Sequence, residues 1–312
     1  MTETSSSLPI AVTTHQPNAR FGRRAREAAW GYLLIAPVMT GFAIFFLIAL
    51  GASLYLSFTK WDMLTSPVFV GLDNYRTVLH DHEFRTALLN TVAITVPHIV
   101  LRLICALALA IALNSNIRFR AFYRILFFLP VLTMPVAIAT IWKWLYDPAF
   151  GPINSFLRGI GVDNPPEWLS QPRSATVAVV IVLLWSGIGY DMVIYLAGLQ
   201  AIPRDFYEAA SLDGAGGWQR FRDITLPLLT PTIFFLSVIG VIYSLQVFDL
   251  VYVMTKIDQT NKLPTVVYYI YDEGFRNFRM GYAITVAWVL LGMILIFTII
   301  QFRFQRRWVF YG

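Results

Sequence analysis

The apolar residues of this chain are gathered into runs that match the thickness of a lipid bilayer, and no other feature restricts the fold as much. The runs lie at about residues 30–56, 86–113, 122–145, 174–199, 229–251 and 281–303. A helix needs about 20 apolar residues to cross the hydrocarbon core. In lipid every backbone N–H and C=O must be bonded within the chain, so segments of this length are helices, and a strand-built barrel is excluded. Only 13% of the residues are charged, about half the share of a soluble domain. The expected fold is therefore all-α, a polytopic membrane protein with six transmembrane helices and no soluble domain of useful size.

Residues 1–29 are polar, rich in Ser and Thr, and basic at Arg20, Arg23, Arg24 and Arg26. They read as a disordered tail preceding a membrane domain over 30–312. The run that follows is too long for a signal-peptide core and lacks a small-x-small cleavage site, so it is a retained first span. Basic residues set the orientation. Of the 24, thirteen lie in 1–29, 114–121, 200–228, 304–312 or the adjoining helix ends; nine lie in the alternate loops; Arg102 and Lys143 lie within runs. The nine are accompanied by acids such as Asp73, Asp81, Glu83, Glu167 and Glu273. Both termini and the 200–228 loop are thus expected on the cytoplasmic side. The net charge of +6 is then a matter of topology, and no nucleic-acid partner is expected.

Most site chemistry is missing from the sequence. None of the four lysines, Lys60, Lys143, Lys256 and Lys262, follows a glycine, so no Gly-Lys-Ser/Thr phosphate cradle can form. Gly214, Gly216 and Gly217 do not follow a strand and are no dinucleotide fingerprint. The lone Cys105 lies in an apolar run and cannot form an internal disulfide. His80-Asp81-His82-Glu83 has no distant ligand cluster to complete a metal site. No nucleophile, base and acid can be set together, with His15 in the tail and His98 within span two. We expect no catalytic residue, no metal and no cofactor in this chain.

Ionisable residues within spans carry more weight. Arg102 and Asp191 fall at similar depth in spans two and four, so either they pair within the membrane or Arg102 extends to the headgroups. Asp249 lies near the outer end of span five and could be interfacial. Pro97, Pro130, Pro135, Pro227 and Pro231 interrupt or open spans. Each reads first as an ordinary kink, although broken helices also occur where backbone lines a cavity.

One polar stretch, about 203–227, separates spans four and five. Pro203 ends the preceding segment. Asp205 can serve as an N-cap with Glu208 at the third helical position, a capping-box spacing. Gly214 supplies a break. Ala209 and Ala210 leave one helix face low enough for a partner to approach. A second helix then leads to Ile224, Leu226 and Pro227. Locally, Glu208 could be a cap, a contact, or both.

The pattern Glu208-Ala209-Ala210, three residues, Gly214, nine residues, Ile224, one residue, Leu226-Pro227 resembles the "EAA" loop of ABC importer membrane subunits. Three further stretches resemble carbohydrate-uptake permeases of the maltose and glycerol-3-phosphate type: Phe69-Val-Gly-Leu-Asp-Asn-Tyr75, Phe248-Asp-Leu-Val-Tyr-Val-Met-Thr255 and Phe275-Arg-Asn-Phe-Arg-Met-Gly-Tyr282. The likeness runs from about residue 30 to the end. It departs at Lys256–Pro264, where many members carry a Gly-Gly-Pro turn.

The resemblance implies a multi-pass permease in the cytoplasmic membrane of a prokaryote. It implies a homologous second permease, a dimeric ATPase carrying ATP and Mg on the cytoplasmic side, and an extracytoplasmic solute-binding protein. Glu208, Ala209, Ala210, Asp213 and Gly214 would form the coupling helix that docks on the ATPase. The family's sugar site lies near span five, where Tyr243, Ser244 and Gln246 offer a ring and hydrogen-bonding groups, with Tyr190 and Trp185 as weaker candidates in span four. On helical spacing, Tyr243, Gln246 and either Val247 or Leu250 share one face. The stripe could bind solute or bond to the partner permease. A self-contained secondary transporter or channel is the other class, and it would have no need of the Glu208 loop.

Overall fold

A computed structural model of the protein describes residues 18–255 and 263–310, with side chains from residue 26 onward. The Lys256–Lys262 stretch, where the family likeness departs, lies outside the described residues. The chain divides into two compact units, Met1–Tyr55 and Leu56–Gly312.

The first unit is helical. Helix α1 (Asn18–Phe42) passes through a π-turn, Ala43–Ile48, into α2 (Ala49–Ser57). The helix thus reaches back into the stretch expected as a tail. Phe42 and Phe46 stack at 4.9 Å across the start of the π-turn. Its apolar side chains, Phe45 among them, are exposed.

The second unit opens on a small ribbon, β1 (Thr59–Lys60) antiparallel to β2 (Val68–Phe69), the only strands among the described residues. Helices α3 (Asp73–His80) and α4 (His82–Asn114) follow. Asp81 caps α4, accepting hydrogen bonds from the Glu83 and Phe84 amides. The helix runs on through Pro97, which is an ordinary interruption.

The third apolar run is no ordinary kink. Helix α5 (Arg120–Phe128) tightens into a 3-10 turn, Leu129–Leu132, and α6 (Pro135–Leu145) leaves it at a bend of 100°. Met134 is held extended because it precedes Pro135, which then starts the new helix. Helices α7 (Pro152–Gly159) and α8 (Pro172–Ala201) follow. Helix α8 packs on the end of α5 at backbone distance: a Cβ at Gly189 would lie 2.0 Å from the Phe127 carbonyl oxygen.

Helix α9 (Arg204–Leu212) and the short α10 (Gly217–Arg220) form the polar connection. A π-turn at Phe221–Thr225 and α11 (Leu226–Leu228) lead at 61° into α12 (Thr230–Leu245). The fifth run is then broken: α12 ends at Leu245, Gln246 is its C-cap, and α13 begins only at Asp249 (Asp249–Thr255). Helix α14 (Val266–Tyr271), a π-turn at Asp272–Arg276, and α15 (Met280–Gln305) complete the chain.

Among the described residues four helices are long and apolar enough to span a membrane, and the two bent pairs raise the number to six if each is one span. The fold is all-α apart from the ribbon. At the ribbon end, Asn74 Nδ2 donates to the Ser57 and Thr59 carbonyls at 3.0 and 2.9 Å, and the Gly281 amide donates to the Trp61 carbonyl at 3.0 Å. Two of the sequence stretches singled out above, 69–75 and 275–282, therefore meet in one knot at one end of the bundle.

Candidate functional site

The break after Leu245 builds a pocket of about 610 Å³. A polar backbone cannot be left bare in an apolar interior, so an interrupted helix belongs where it is packed or lines a cavity. Here Tyr243, Ser244 and Gln246 from the end of α12, and Asp249 from the start of α13, face Tyr190 and Ser186 of α8 and His98 and Arg102 of α4. Pro130, Thr133 and Pro135 close it from the bend between α5 and α6. All four substrate-path residues named from sequence thus line one concavity. Tyr243 and Gln246 are exposed in it, while Ser244 is buried.

Their geometry differs from the expected stripe. Gln246 adopts φ −100° and ψ 8°, outside the helix, so Tyr243 and Gln246 are not successive rungs of one helical face, and Leu250 belongs to the next helix. Trp185 is not part of the lining; its ring meets Trp142 edge-on at 5.6 Å. Asp249, which the sequence leaves open between a site residue and an interfacial one, lines the pocket.

The structure brings Arg102 and Asp191 together. Arg102 Nε donates to Asp191 Oδ2 at 2.6 Å and Nη2 donates to Oδ1, a two-point pair joining α4 to α8. Both side chains are buried. The guanidinium lies beside Gly187, where a Cβ would stand 3.5 Å from it.

His98 was passed over in the sequence because nothing there places it near another polar group. It is 3% exposed. Its Nδ1 lies 3.2 Å from Ser244 Oγ, and Ser244 Oγ donates to Thr95 Oγ1 at 3.2 Å. The available signal was an ionisable side chain within a span.

The polar connection is a helix, a turn and a second helix. Helix α8 stops at Ala201, and Pro203 stands at the N-cap of α9 without a side-chain cap. The expected capping box is therefore absent: Asp205 lies inside the first turn, where its charge suits the helix dipole, and Glu208 is the fifth helical residue. The proline fixes the entry, so the helix starts two residues too early for Asp205 to cap it. Glu208 is exposed and makes no hydrogen bond or ion pair among the described residues. Ala209 is exposed and Ala210 half-buried.

Asp213 is the C-cap and Gly214 takes φ +76°, the left-handed conformation that glycine adopts without strain. The Ala215 amide bonds to Ala210 O at 2.9 Å and the Gly214 amide to Ser211 O at 3.2 Å, a Schellman ending. Gln219 Oε1 accepts from the Gly216 amide at 2.8 Å to start α10. Tyr207 Oη and Thr225 Oγ1 lie 2.9 Å apart, and Arg220 donates to Ser211 Oγ at 3.1 Å, so the second helix is tied back to the first. Leu212 and Trp218 remain 90% and 70% exposed on this polar loop.

Away from these sites, Asp81 accepts hydrogen bonds from the Tyr269 and Tyr282 hydroxyls. Burial raises its pKa, but those bonds and the two cap amides outweigh it and hold the carboxyl below its ordinary range. Asp81 is thus a structural anchor, and His80 bonds back to Arg76 O at 2.9 Å. Among the described residues no three His, Cys, Asp or Glu side chains are placed to hold a metal ion.

Comparison with known proteins gives a family. The sequence pattern of the family described as binding-protein-dependent transport system inner membrane component matches residues 88–309. The probable ABC transporter permease protein YesP of Bacillus subtilis is 38% identical over 285 residues, 90% of this chain and 92% of that one. The trehalose/maltose transport system permease protein MalF of Thermococcus litoralis is 34% identical over 286 residues, 90% of this chain and 95% of the relative. The solved structure of a bacterial ABC transporter involved in the import of the acidic polysaccharide alginate contains a chain of the same fold, with TM-score 0.81 over 92% of this chain and 99% of that one, at 24% identity.

Proposed function

The chain belongs to the family of binding-protein-dependent transport system inner membrane components, and we propose that it forms half of the translocation pathway for a sugar or sugar-like solute in an ATP-driven importer. The observation that carries this reading is the pocket at the broken fifth run. It sets two tyrosines, a serine and an amide around one space at a helix break. Aromatic faces suit a sugar's C–H surfaces, and the amide and hydroxyls suit its OH groups. The alternative of a self-contained transporter or channel leaves the exposed Glu208 loop without a purpose.

In this reading both termini and the loop of α9 and α10 face the cytoplasm, in keeping with the distribution of Arg and Lys. Glu208, Ala209, Ala210, Asp213 and Gly214 form the coupling helix that docks on a dimeric ATPase, which holds ATP and Mg. A homologous second permease completes the pathway, and the binding protein delivers solute from outside. A short helix closed at its end by Gly214 and tied back through Tyr207 and Arg220 can transmit a rigid-body movement. This chain performs transport and carries no ATP hydrolysis of its own.

The test replaces Tyr243 and Gln246 by Ala in the complete transporter. Uptake should fall, or the range of accepted sugars change, while the subunits still co-purify. If instead the subunits separate, the pair is a subunit contact and the pocket assignment is wrong.

A further inference from the structure

The joint between the polar loop and span five is short of backbone hydrogen bonds. Pro227 and Pro231 lie four residues apart, on either side of the 61° turn into α12. A proline has no amide hydrogen, so Pro231 cannot donate to the Pro227 carbonyl, the acceptor that helical spacing would give it. Thr230 supplies the missing bond from its side chain: Oγ1 donates to Pro227 O at 2.6 Å. A hydroxyl has one proton and two lone pairs, so the same oxygen can still accept. It accepts from the Phe310 amide at 2.9 Å, 80 residues further along the chain.

The segment after α15 is turned towards this joint. The Trp308 and Val309 amides bond to Gln305 O at 3.1 and 2.9 Å, which closes the last turn. Trp308 sets its ring edge-on to Phe234 of α12 at 6.2 Å, and Phe302 of α15 meets the same ring at 5.1 Å. On α8, a Cβ at Gly198 would lie 3.0 Å from Leu229, which is fully buried at the turn. Helix α8, helix α15 and the segment Trp308–Phe310 therefore all bear on the base of α12.

Helix α12 has 16 residues and is about 24 Å long. Its base follows the loop of α9 and α10, and its far end carries Tyr243 and Ser244 into the pocket. A helix passes a displacement from one end to the other only if it is held stiff where it is driven.

We propose that the segment Trp308–Phe310 is a strap that holds this joint stiff, and that Thr230 is the positioning residue through which it acts, so that a movement of the coupling loop reaches the pocket. This role rests on the proposed docking of that loop on an ATPase. Phe310 contributes its backbone amide, while its ring is exposed.

The test uses the complete transporter in proteoliposomes that enclose its binding protein. Thr133→Cys in the pocket lining is the reporter, with Cys105→Ser. A membrane-impermeant maleimide added outside reaches the reporter only in transporters whose cytoplasmic face is outward. ATP and vanadate, also added outside, trap the ATPase closed. In the parent they should slow labelling by about 5-fold or more, the low end of a coupling between two sites. Thr230→Val keeps the shape of the side chain and loses its hydroxyl, and Phe310→Pro loses the amide hydrogen. Each should abolish most of the protection. Thr230→Ser keeps the hydroxyl and Phe310→Ala keeps the amide, and both should stay protected.

A merely structural Thr230 would lower the yield or melting temperature of Thr230→Val and leave protection per assembled complex unchanged. That result overturns the strap, and so does Thr230→Ser if it is as unprotected as Thr230→Val. Should Thr230→Val not assemble, Phe310→Pro against Phe310→Ala decides by the same measure. Failure of the coupling reading looks different: the parent itself then shows no protection, and the strap falls with it.

Discussion

Arg102 and Asp191 meet through two parallel hydrogen bonds between the two longest helices of the second unit. Each is nearly inaccessible, with Asp191 at 1% exposure. Removing one partner from such a pair leaves a buried charge uncompensated, which costs about 3–5 kcal/mol, whereas replacing both by apolar side chains is close to neutral. Arg102→Met and Asp191→Leu should therefore each lower the thermal stability of the detergent-purified protein, and the double variant should recover most of the loss. A double variant as unstable as the worse single one would show that the pair holds the helices by more than mutual neutralisation.

Helix α15 carries two glycines with opposite surroundings. A Cβ at Gly281 would lie 2.0 Å from the Thr59 carbonyl oxygen and 3.1 Å from the Trp61 amide, while a Cβ at Gly292 meets nothing within 4 Å. The obstruction at Gly281 is backbone and cannot swing aside. Gly281→Ala should cost about 1–3 kcal/mol through overpacking, and Gly292→Ala should be neutral or stabilise by about 0.5–1 kcal/mol through helix propensity. Thermal unfolding of the two variants side by side decides it, since equal effects would mean that the ribbon contact can relax.

The spans were legible because bilayer thickness writes itself into the length of apolar runs, and the short helix α9 because Gly214 and Pro203 punctuate a polar gap. The break at Gln246–Phe248 was not. The run continues through Val247, Phe248, Leu250 and Val251 with no glycine or proline, and the Val247 carbonyl accepts instead from Thr265 Oγ1 at 3.1 Å, a contact that no local rule foretells. The 100° bend was half legible: Pro130 and Pro135 were visible, but the extended Thr133 and Met134 between them were not. The first turn of α9 was misjudged because Asp205 has the right chemistry for a cap and Pro203 has the right geometry. His98 could not be linked to Ser244, 146 residues away, by any local rule. The four substrate-path candidates reached one pocket, though not as the helical stripe that their spacing suggested.

Asp81 links the start of α4 to α14 and α15 through Tyr269 and Tyr282. Its carboxyl titrates below the ordinary value of 3.8 in the folded protein. A depressed acid contributes stability above its unfolded pKa and loses it as pH falls through the folded value. Between about pH 6 and about pH 4 the melting temperature should owe nothing to this group's titration, and below about pH 4 the stabilisation should fade. Asp81→Asn should be less stable at neutral pH and should remove this part of the acid dependence. A melting temperature against pH that is parallel in the two proteins below pH 4 would assign the acid sensitivity to other carboxylates.

In the function proposed above, coupling to an ATPase turns on Glu208. It is exposed on the middle of α9, caps nothing, and has no partner among the described residues, so its own fold does not require it. Beside it Leu212 is 90% exposed, an apolar side chain that a docked partner would cover. Glu208→Lys keeps helix propensity nearly unchanged and reverses the charge, so the protein should insert and melt as the parent does. Co-purification with the ATPase, or solute uptake, should fall by about 10-fold or more, the scale of a severed charged contact. Gly214→Ala supplies the contrast. Its φ of +76° makes any Cβ unfavourable by about 1–2 kcal/mol, so it should disturb the loop's shape and weaken docking together with local stability. Glu208→Lys at parental levels of both association and transport, with Gly214→Ala impaired in both, would place the coupling in the loop's shape and remove Glu208 from it.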